Sequence, residues 1–240
     1  MTYQLTTCCI RSRVIKPINH TEAVFFDLDG TLIDTAPDMG AALNQVLQRH
    51  GRSTVSESVY RAHVSHGSIA LLKLGFPQLH PTDMNQLREE FLAAYDSNIA
   101  EFSSFFDGVE ALLQELESAN VPWGIITNKP EGLTLKLLEA LAITSRCCSI
   151  VAADTTTHAK PHPAPMRLAC ERAGVDAKKC AYVGDAKRDI DAGKSVQMRT
   201  FIASWGYIGT TDDIDSWRAD QTLHTPMELL KHISLTDKSR

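Results

Sequence analysis

Residues 23–30 read Ala23-Val24-Phe25-Phe26-Asp27-Leu28-Asp29-Gly30, an apolar run that ends in two carboxylates. Because successive positions are apolar, the run predicts a strand buried on both faces, as is typical of a parallel sheet. Gly30 then ends the strand. Asp27 and Asp29 are two residues apart, so their side chains leave the strand end in roughly the same direction. Two carboxylates this close repel each other, and a cation is needed to keep both ionised.

The sequence after Asp107 alternates between apolar runs and amphipathic segments. Strands are predicted near 121–127, 149–153, 181–183 and 200–203, and helices near 108–119, 131–141, 163–173, 189–195 and 226–232. This alternation indicates an α/β fold, with a doubly wound parallel sheet and helices on both of its faces.

Residues 36–104 interrupt this pattern, because they have helical periodicity and contain no strand-like run. Helices are expected at 38–50, 56–64, 68–74 and from Thr82 onward. We therefore predict a small α-helical domain over 36–104, inserted into a core domain made of 21–35 and 105–240. Residues 1–20 are a polar, basic N-terminal extension, for which disorder is one interpretation.

Composition argues against several classes of partner. The net charge of -5 disfavours nucleic acid or an anionic membrane as the main partner, since both usually require a basic face. No stretch is long and apolar enough to span a bilayer. The six cysteines form no C-x-x-C pair, so reduced thiols and a cytoplasmic location are expected. The alternative is an unrecognised metal or redox role for these thiols.

Polar residues also follow the later strands of the predicted sheet. They are Thr127 and Asn128 after the second strand, Asp185 and Asp189 after the run at 181–183, and Lys160 in a polar loop. Ligands bind at the carboxyl ends of the strands in such sheets, so these residues are expected to meet the two carboxylates of the first strand. Each pattern alone is as typical of a solvated turn or a helix cap. Their combination favours a Mg²⁺ site, because this hard cation prefers oxygen ligands.

Four segments resemble the motifs of the haloacid dehalogenase-like (HAD) superfamily. Residues 27–34 resemble its first motif, 125–128 the second, Lys160-Pro161 the third and 184–189 the fourth. The match runs in order from about Glu22 to Ala203, and the helical insert falls where this family carries its cap domain. The resemblance implies a Rossmann-like HAD core and a hydrolase that uses Mg²⁺ as its cofactor.

The resemblance also implies catalytic and metal-binding roles. Asp27 would be the nucleophile that forms an aspartyl-phosphate, and Asp29 the general acid and base. Asp27, the backbone carbonyl of Asp29 and Asp185 would hold Mg²⁺, with Asp189 as a ligand or an outer support. Thr31 is similar to the family residue that hydrogen-bonds near Asp29.

Other positions would bind the phosphate or the rest of the substrate. Thr127 and the backbone N–H of Asn128 would hold phosphoryl oxygens, and Lys160 would add positive charge beside them. His66 and Gly67 are the best candidates for substrate contacts in the cap, since Gly67 allows close backbone approach. The alternative for this pair is a capping turn with an exposed histidine.

The phosphoglycolate phosphatase branch of the superfamily is the most similar, on Thr35-Ala36-Pro37-Asp38 and Trp205-Gly206-Tyr207. A related branch acts on N-acetylmuramic acid 6-phosphate and resembles residues 206–208 and 217–220. Both substrates stay open, as does a phosphomutase of the same superfamily. Asp29 weighs against the dehalogenases, and Lys73, the only lysine within the predicted cap, lies in an apolar run unsuited to phosphonate hydrolysis.

A binding module without catalysis is the alternative from another class. Receiver-like signalling domains also combine a strand-end aspartate with Mg²⁺, threonine and lysine. They lack the helical insert and the second acid at Asp29, so an enzyme acting on a small-molecule phosphate monoester is the favoured hypothesis. A monomer and a homodimer are equally compatible with the sequence.

Overall fold

The computed structural model describes residues 20–78 and 80–235, and a six-stranded parallel sheet forms its centre. The strand order in this sheet is β5-β4-β1-β6-β7-β8. The strands of the described residues are β1 (Ala23–Phe26), β2 (Ile33–Asp34), β3 (Ser104–Phe105), β4 (Trp123–Ile126), β5 (Ile150–Val151), β6 (Cys180–Gly184), β7 (Arg199–Ala203) and β8 (Gln221–Leu223). β1 therefore lies between β4 and β6, in the middle of the sheet.

Helices connect the strands along the chain. The α-helices are α1 (Ala36–Arg49), α2 (Glu57–Tyr60), α3 (Ser68–Gly75), α4 (Pro81–Ser97), α5 (Val109–Ser118), α6 (Glu131–Ala140), α7 (Ala164–Ala173) and α8 (Lys187–Ser195). Short 3-10 helices cover Arg61–His66, Thr144–Arg146, Ala177–Lys179, Ile214–Trp217 and Pro226–Lys231. The helix expected at 226–232 is therefore a 3-10 helix, and the segment expected at 56–64 divides into α2 and a 3-10 helix.

Both faces of the sheet are covered by helices. Val24 and Phe26 of β1 pack into one core with Leu113 of α5, and Phe25 packs into a second core with Met166 of α7. Alternate residues of one strand thus lie in different cores, which explains why β1 is apolar at every position. The predicted doubly wound parallel sheet is confirmed.

Helices α1–α4 have a hydrophobic core of their own. Leu43, Leu72, Phe91 and Tyr95 belong to it and are at most 1% exposed. β2 and β3 pair as a short antiparallel ribbon at the two ends of this helical segment. The ribbon brings the start and the end of the insert together, while the boundaries of a separate cap domain at 36–104 stay a prediction.

Three strands were not expected from the sequence. β8 was not expected, because Gln221-Thr222-Leu223 is short and polar, and its strand conformation depends on pairing with β7. The ribbon of β2 and β3 is likewise too short to produce a periodic pattern. The core of the sheet, from β5 to β7, follows the expected strands.

Three further expectations concern the N-terminal extension, the cysteines and membrane-spanning segments. The extension predicted for residues 1–20 lies outside the described residues, apart from His20. The four cysteines that the structure describes, Cys147, Cys148, Cys170 and Cys180, form no disulfide. None of the described helices has the length and apolar character needed to cross a membrane.

Candidate active site

Three carboxylates meet at the carboxyl end of the central strands. Asp27 follows β1, Asp185 follows β6, and Asp189 lies in the first turn of α8. One oxygen from each lies within 4.8 Å of the others, and all three residues are buried. Burial, together with the charges of Asp27 and Asp189, raises the pKa of Asp185 to about 7. Burial also raises the pKa of Asp189, although the ammonium of Lys160 opposes this effect.

Close backbone packing and two hydrogen bonds hold Asp185 in place. A Cβ atom on Gly30 or on Gly206 would collide with the Asp185 side chain, and Gly30 also has a φ of +81°. Ser65 Oγ donates to Asp185 Oδ2 over 2.6 Å, and the Tyr207 backbone N–H donates to the same oxygen over 2.9 Å. Oδ1 of Asp185 has only a long contact, with the Thr31 hydroxyl at 3.5 Å, and it keeps capacity for a cation.

Lys160 lies among the carboxylates and is only 3% exposed. Its Nζ is 3.1 Å from Asp27 Oδ1 and 2.8 Å from Asp189 Oδ1. It also donates to the Ile126 carbonyl over 2.7 Å and to the Tyr182 hydroxyl over 2.8 Å. The two carboxylate contacts are ion pairs, whereas the other two are hydrogen bonds and use two of the three donors of the ammonium. Lys160 thus orients Asp27, and at most one of its donors is left for a further contact.

The Asn128 side chain fixes the loop that carries Lys160. Asn128 Nδ2 donates to the Lys160 carbonyl over 2.9 Å, and the Lys160 backbone N–H donates to Asn128 Oδ1 over 3.0 Å. The Lys160-Pro161 peptide bond is cis. The Asn128 side chain thus joins the predicted second and third motifs, and both Thr127 and Asn128 line the cavity.

Asp29 is held by a buried lysine that the sequence analysis did not select. Lys129 Nζ is 3.0 Å from Asp29 Oδ1 and donates to the Tyr95 hydroxyl of α4 over 2.9 Å. Burial alone would disfavour the ammonium, but Asp29 and Tyr95 outweigh it and raise the pKa of Lys129. Thr35 Oγ1 donates to the same Asp29 oxygen over 2.7 Å. Asp29 Oδ2 has no hydrogen bond to any described residue, whereas Oδ1 accepts two.

The expectation for Thr31 was wrong. Its hydroxyl is directed at Asp185 Oδ1, at 3.5 Å, whereas Thr35 supplies the hydrogen bond to Asp29. The cause is the tight turn at Gly30, which directs Thr31 towards the strand end of β6. The Asp29 carboxylate is also not part of the three-carboxylate group, so a metal contact of this residue would have to use its backbone carbonyl.

The donor set fits Mg²⁺. Three buried carboxylates within 4.8 Å repel one another, and only one lysine neutralises two of them. A small, hard cation bound through carboxylate oxygens would remove this repulsion. Asp27 and Asp185 offer oxygens for it, and Asp189 lies beside them with its Oδ2 accepting from the Ala186 backbone N–H over 3.0 Å.

A cavity of about 450 Å³ opens above the carboxylates. Asp27, Asp29 and Thr127 line its floor, and His66 and Gly67 line its wall, as the sequence predicted for substrate contacts. Burial and the nearby Arg188 lower the pKa of His66, which favours the neutral ring at pH 7. The remaining wall is partly apolar and comes mostly from the insert. It includes Met39, Val64, Phe91, Leu92 and Leu133.

Three further cations at this cavity were missed from the sequence, and they are Arg88 of the insert, Lys129 and Arg188. Lys129 stands between Asn128 and Pro130, where it is indistinguishable from a loop lysine. Arg188 stands in the first turn of α8, where a surface charge is usual. Its guanidinium Nη2 is 3.8 Å from Asp27 Oδ2. The only signal for Lys129 or Arg188 was its position beside a recognised motif residue.

Comparison with known proteins agrees with this arrangement. The family model for haloacid dehalogenase-like hydrolases matches residues 24–203 of the chain. The chain belongs to this family. A HAD fold therefore accounts for the parallel sheet, the order of the four motifs and the position of the insert, and the expected resemblance is confirmed.

Curated HAD relatives cover nearly the whole chain. A phosphoglycolate phosphatase of Xanthomonas campestris is 43% identical over 207 residues, which cover 86% of this chain and 94% of the relative. An N-acetylmuramic acid 6-phosphate phosphatase of Pseudomonas aeruginosa is 36% identical over 210 residues, with 87% and 93% covered. Both branches expected from the sequence are thus represented among its relatives.

Solved HAD structures share the fold. A protein from Haemophilus somnus, described as a predicted phosphoglycolate phosphatase, superimposes with a TM-score of 0.78 at 24% identity. The match covers 88% of this chain and 97% of that one. At this level of identity the similarity concerns the fold alone.

Proposed function

We propose that this HAD hydrolase is a Mg²⁺-dependent phosphatase that cleaves a small phosphate monoester through an aspartyl-phosphate on Asp27. The observation that carries the proposal is that only one oxygen of the Asp27 carboxylate is bound to other groups of the protein. Its Oδ1 accepts from the Leu28 backbone N–H over 2.7 Å and pairs with Lys160. Its Oδ2 has no hydrogen bond to a described residue, and the side chain lines the cavity. The carboxylate is thereby oriented with one oxygen free to attack.

In the first step, Asp27 Oδ2 forms a bond to phosphorus and the bond from phosphorus to the ester oxygen breaks. Asp29 Oδ2 donates its proton to the departing oxygen, which leaves as an alcohol. Lys160 keeps Asp27 in the attacking orientation, and Lys129 with Thr35 holds Asp29 through its other oxygen. The product of this step is an aspartyl-phosphate.

In the second step, a water molecule attacks the phosphorus of the aspartyl-phosphate. The Asp29 carboxylate takes a proton from this water, and the bond between phosphorus and Asp27 breaks. Inorganic phosphate is released, the Asp27 carboxylate is restored and Asp29 is again protonated. The second acid two residues after the nucleophile is what distinguishes this site from a phospho-acceptor module.

Mg²⁺ bound by Asp27, Asp185 and the Asp29 carbonyl would offset the repulsion between the attacking carboxylate and the phosphate dianion. Helices α1–α4 would act as the cap domain, 36–104, that covers the cavity and excludes water. Thr127 lies at the cavity floor, where its side chain would hold a phosphoryl oxygen.

A phosphate-release screen over small phosphomonoesters with Mg²⁺ tests the proposal. The panel includes 2-phosphoglycolate, N-acetylmuramic acid 6-phosphate and several sugar phosphates. Release of inorganic phosphate from at least one ester supports a phosphatase. Conversion of a sugar phosphate to its isomer, without net release, would identify a phosphomutase, and inactivity on the whole panel would contradict the proposal.

The size of the cavity favours the larger of the two substrate candidates. A volume of about 450 Å³ falls within the range of roughly 300–1,000 Å³ typical of sites for drug-sized ligands. A two-carbon acid such as glycolate fills little of it, whereas an amino sugar would contact the apolar wall at Phe91 and Leu133. Hydrolysis of N-acetylmuramic acid 6-phosphate is therefore a second candidate function.

A single charged residue would serve either substrate. Arg88 of α4 lines the cavity, and no described residue pairs with its guanidinium. Both 2-phosphoglycolate and N-acetylmuramic acid 6-phosphate carry a carboxylate besides the phosphate, which Arg88 would bind. The values of kcat/KM for the two esters decide between them, and a higher value for phosphoglycolate would contradict the inference from cavity size.

A further inference from the structure

The carboxylates at the floor of the cavity would repel a phosphate dianion. Asp27, Asp29, Asp185 and Asp189 all lie at or beside this floor. A bound phosphoryl group therefore needs donors from the protein in addition to any metal ion. Three cationic side chains are close enough to be considered: Lys160, Lys129 and Arg188.

The two lysines are already committed to protein acceptors. Lys160 donates to the Ile126 carbonyl and the Tyr182 hydroxyl, and it pairs with the carboxylates of Asp27 and Asp189. Lys129 spends two donors on Asp29 Oδ1 and the Tyr95 hydroxyl. At most one donor therefore remains on each lysine, and that of Lys160 has the carboxylates of Asp27 and Asp189 beside it.

Arg188 differs from both lysines. Its guanidinium makes no hydrogen bond to any residue that the structure describes, and its Nε is buried without a partner. The side chain is only 21% exposed, and it lines the cavity beside Asp27. Burial alone would lower the pKa of Arg188, but the carboxylates of Asp189 and Asp27 outweigh it and raise that pKa. Arg188 is thus a charged, largely buried donor with unused capacity.

Arg188 lies close enough to Asp27 for its unused donors to reach a phosphoryl group bound there. Nη2 lies 3.8 Å from Asp27 Oδ2, which is too long for a hydrogen bond. Oδ2 is also the Asp27 oxygen that is free to attack phosphorus. A phosphoryl group bonded to Oδ2 would lie next to the guanidinium, whose planar fork of donors matches two phosphate oxygens.

We propose that Arg188 is a phosphate-binding residue of the active site, which clamps the phosphoryl group in the bound ester and on Asp27. This inference rests on the proposed phosphatase function. It adds Arg188 to the phosphate contacts that the motif resemblance implies, beside Lys160, which also positions Asp27.

The test measures binding of inorganic phosphate and of Mg²⁺ by calorimetry in the wild type, Arg188→Gln and Arg188→Lys. Phosphate is titrated in the presence of Mg²⁺, and Mg²⁺ is titrated in the absence of phosphate. Lys187→Gln is the matched control, because it removes the same charge from the preceding residue, whose exposed side chain pairs with Asp191. KM and kcat are measured on the best ester from the screen.

We expect Arg188→Gln to weaken phosphate binding and to raise KM by roughly 10- to 100-fold, as for the loss of a charged hydrogen bond. Mg²⁺ affinity should be equal or higher, since a cation is removed from beside the carboxylates. Arg188→Lys keeps the charge without the fork and should fall between Arg188→Gln and the wild type. Lys187→Gln should match the wild type.

Two results would overturn the inference while leaving the proposed function intact. One is unchanged phosphate binding in Arg188→Gln, and the other is a joint loss of phosphate and Mg²⁺ binding, which indicates a structural role. A wild type that neither hydrolyses any ester nor binds phosphate would overturn the proposed function, and the role of Arg188 with it.

Discussion

The floor and the roof of the cavity are built in different ways. At and beside the floor lie Asp27, Asp185, Asp189 and Lys160 at the strand ends, and none of these residues is more than 3% exposed. The roof consists of the insert residues that line the cavity, and among its polar residues Arg88 and His66 are exposed. Floor groups are bound to one another, whereas Arg88 has no partner among the described residues. The floor therefore suits the fixed part of the substrate, the phosphate, and the roof suits its variable part.

The largest expected effect comes from the floor. Asp27→Asn should lower kcat by at least about 10⁴-fold, as for removal of an enzymatic nucleophile, because the amide cannot form the acyl phosphate. Phosphate release by the purified variant measures it. The matched control is Asp191→Asn in α8, an exposed aspartate paired with Lys187, which should retain full activity. Substantial turnover by Asp27→Asn would contradict covalent catalysis at this residue.

Removing the metal ion from the wild-type protein should abolish its activity. EDTA is expected to stop phosphate release, and excess Mg²⁺ to restore it. Mg²⁺ should also stabilise the wild type by about 2.7 kcal/mol at 100 times its dissociation constant, because it binds only the folded carboxylate cluster. Thermal unfolding with and without Mg²⁺ checks this, and Asp185→Asn should lose most of the stabilisation. Full activity in EDTA would rule out metal dependence.

Two lysines that contact α4, Lys129 and Lys136, should contribute very different amounts to the free energy of unfolding. Lys129 is 5% exposed and joins Asp29 to Tyr95 of α4, whereas Lys136 joins α6 to Asp96 of α4 with both side chains about half exposed. Lys129→Met should lower the free energy of unfolding by about 3–5 kcal/mol, since it leaves a nearly buried carboxylate unpaired. Lys136→Met should change it by about 1 kcal/mol or less. Denaturant titrations of both variants test the contrast, which equal losses would remove.

The smallest expected effect comes from the roof. Arg88→Ala should raise KM by up to about fivefold for an ester that carries a carboxylate, as for an exposed charge pair. It should leave KM unchanged for an ester without a second anion, such as p-nitrophenyl phosphate. Arg49→Ala, at the exposed end of α1, removes the same charge as a control. An equal effect on both esters would mean that Arg88 acts on the phosphate or on the fold.

The fold was largely predictable because its signals are local. β1, β4 and β6 are short apolar runs buried on both faces, and each is followed directly by the polar residues of the site. The carboxyl ends of parallel strands share one edge, so the meeting of Asp27 with Asp185 followed from strand order and needed no knowledge of side-chain geometry.

The remaining site residues depend on contacts between distant parts of the chain. Lys129 is buried because Tyr95 of α4, 34 residues earlier in the chain, packs against it. Thr35 replaces Thr31 beside Asp29 because the turn at Gly30 directs Thr31 elsewhere. Neither property has a periodic signature, and the same holds for β8, whose strand conformation comes from its neighbour β7.

The strand order also has a consequence for how the protein is made. β1 is complete after 26 residues, but its two neighbours in the sheet are β4 and β6, and β6 ends at Gly184. While the chain leaves the ribosome, the segment that carries Asp27 must therefore wait for more than half of the protein before both of its edges are paired. Such long-range pairing slows folding and leaves an apolar segment exposed. The segment around Asp27 therefore reaches its final pairing only once β6 has been made, and Asp185 and Asp189 of the site follow that strand.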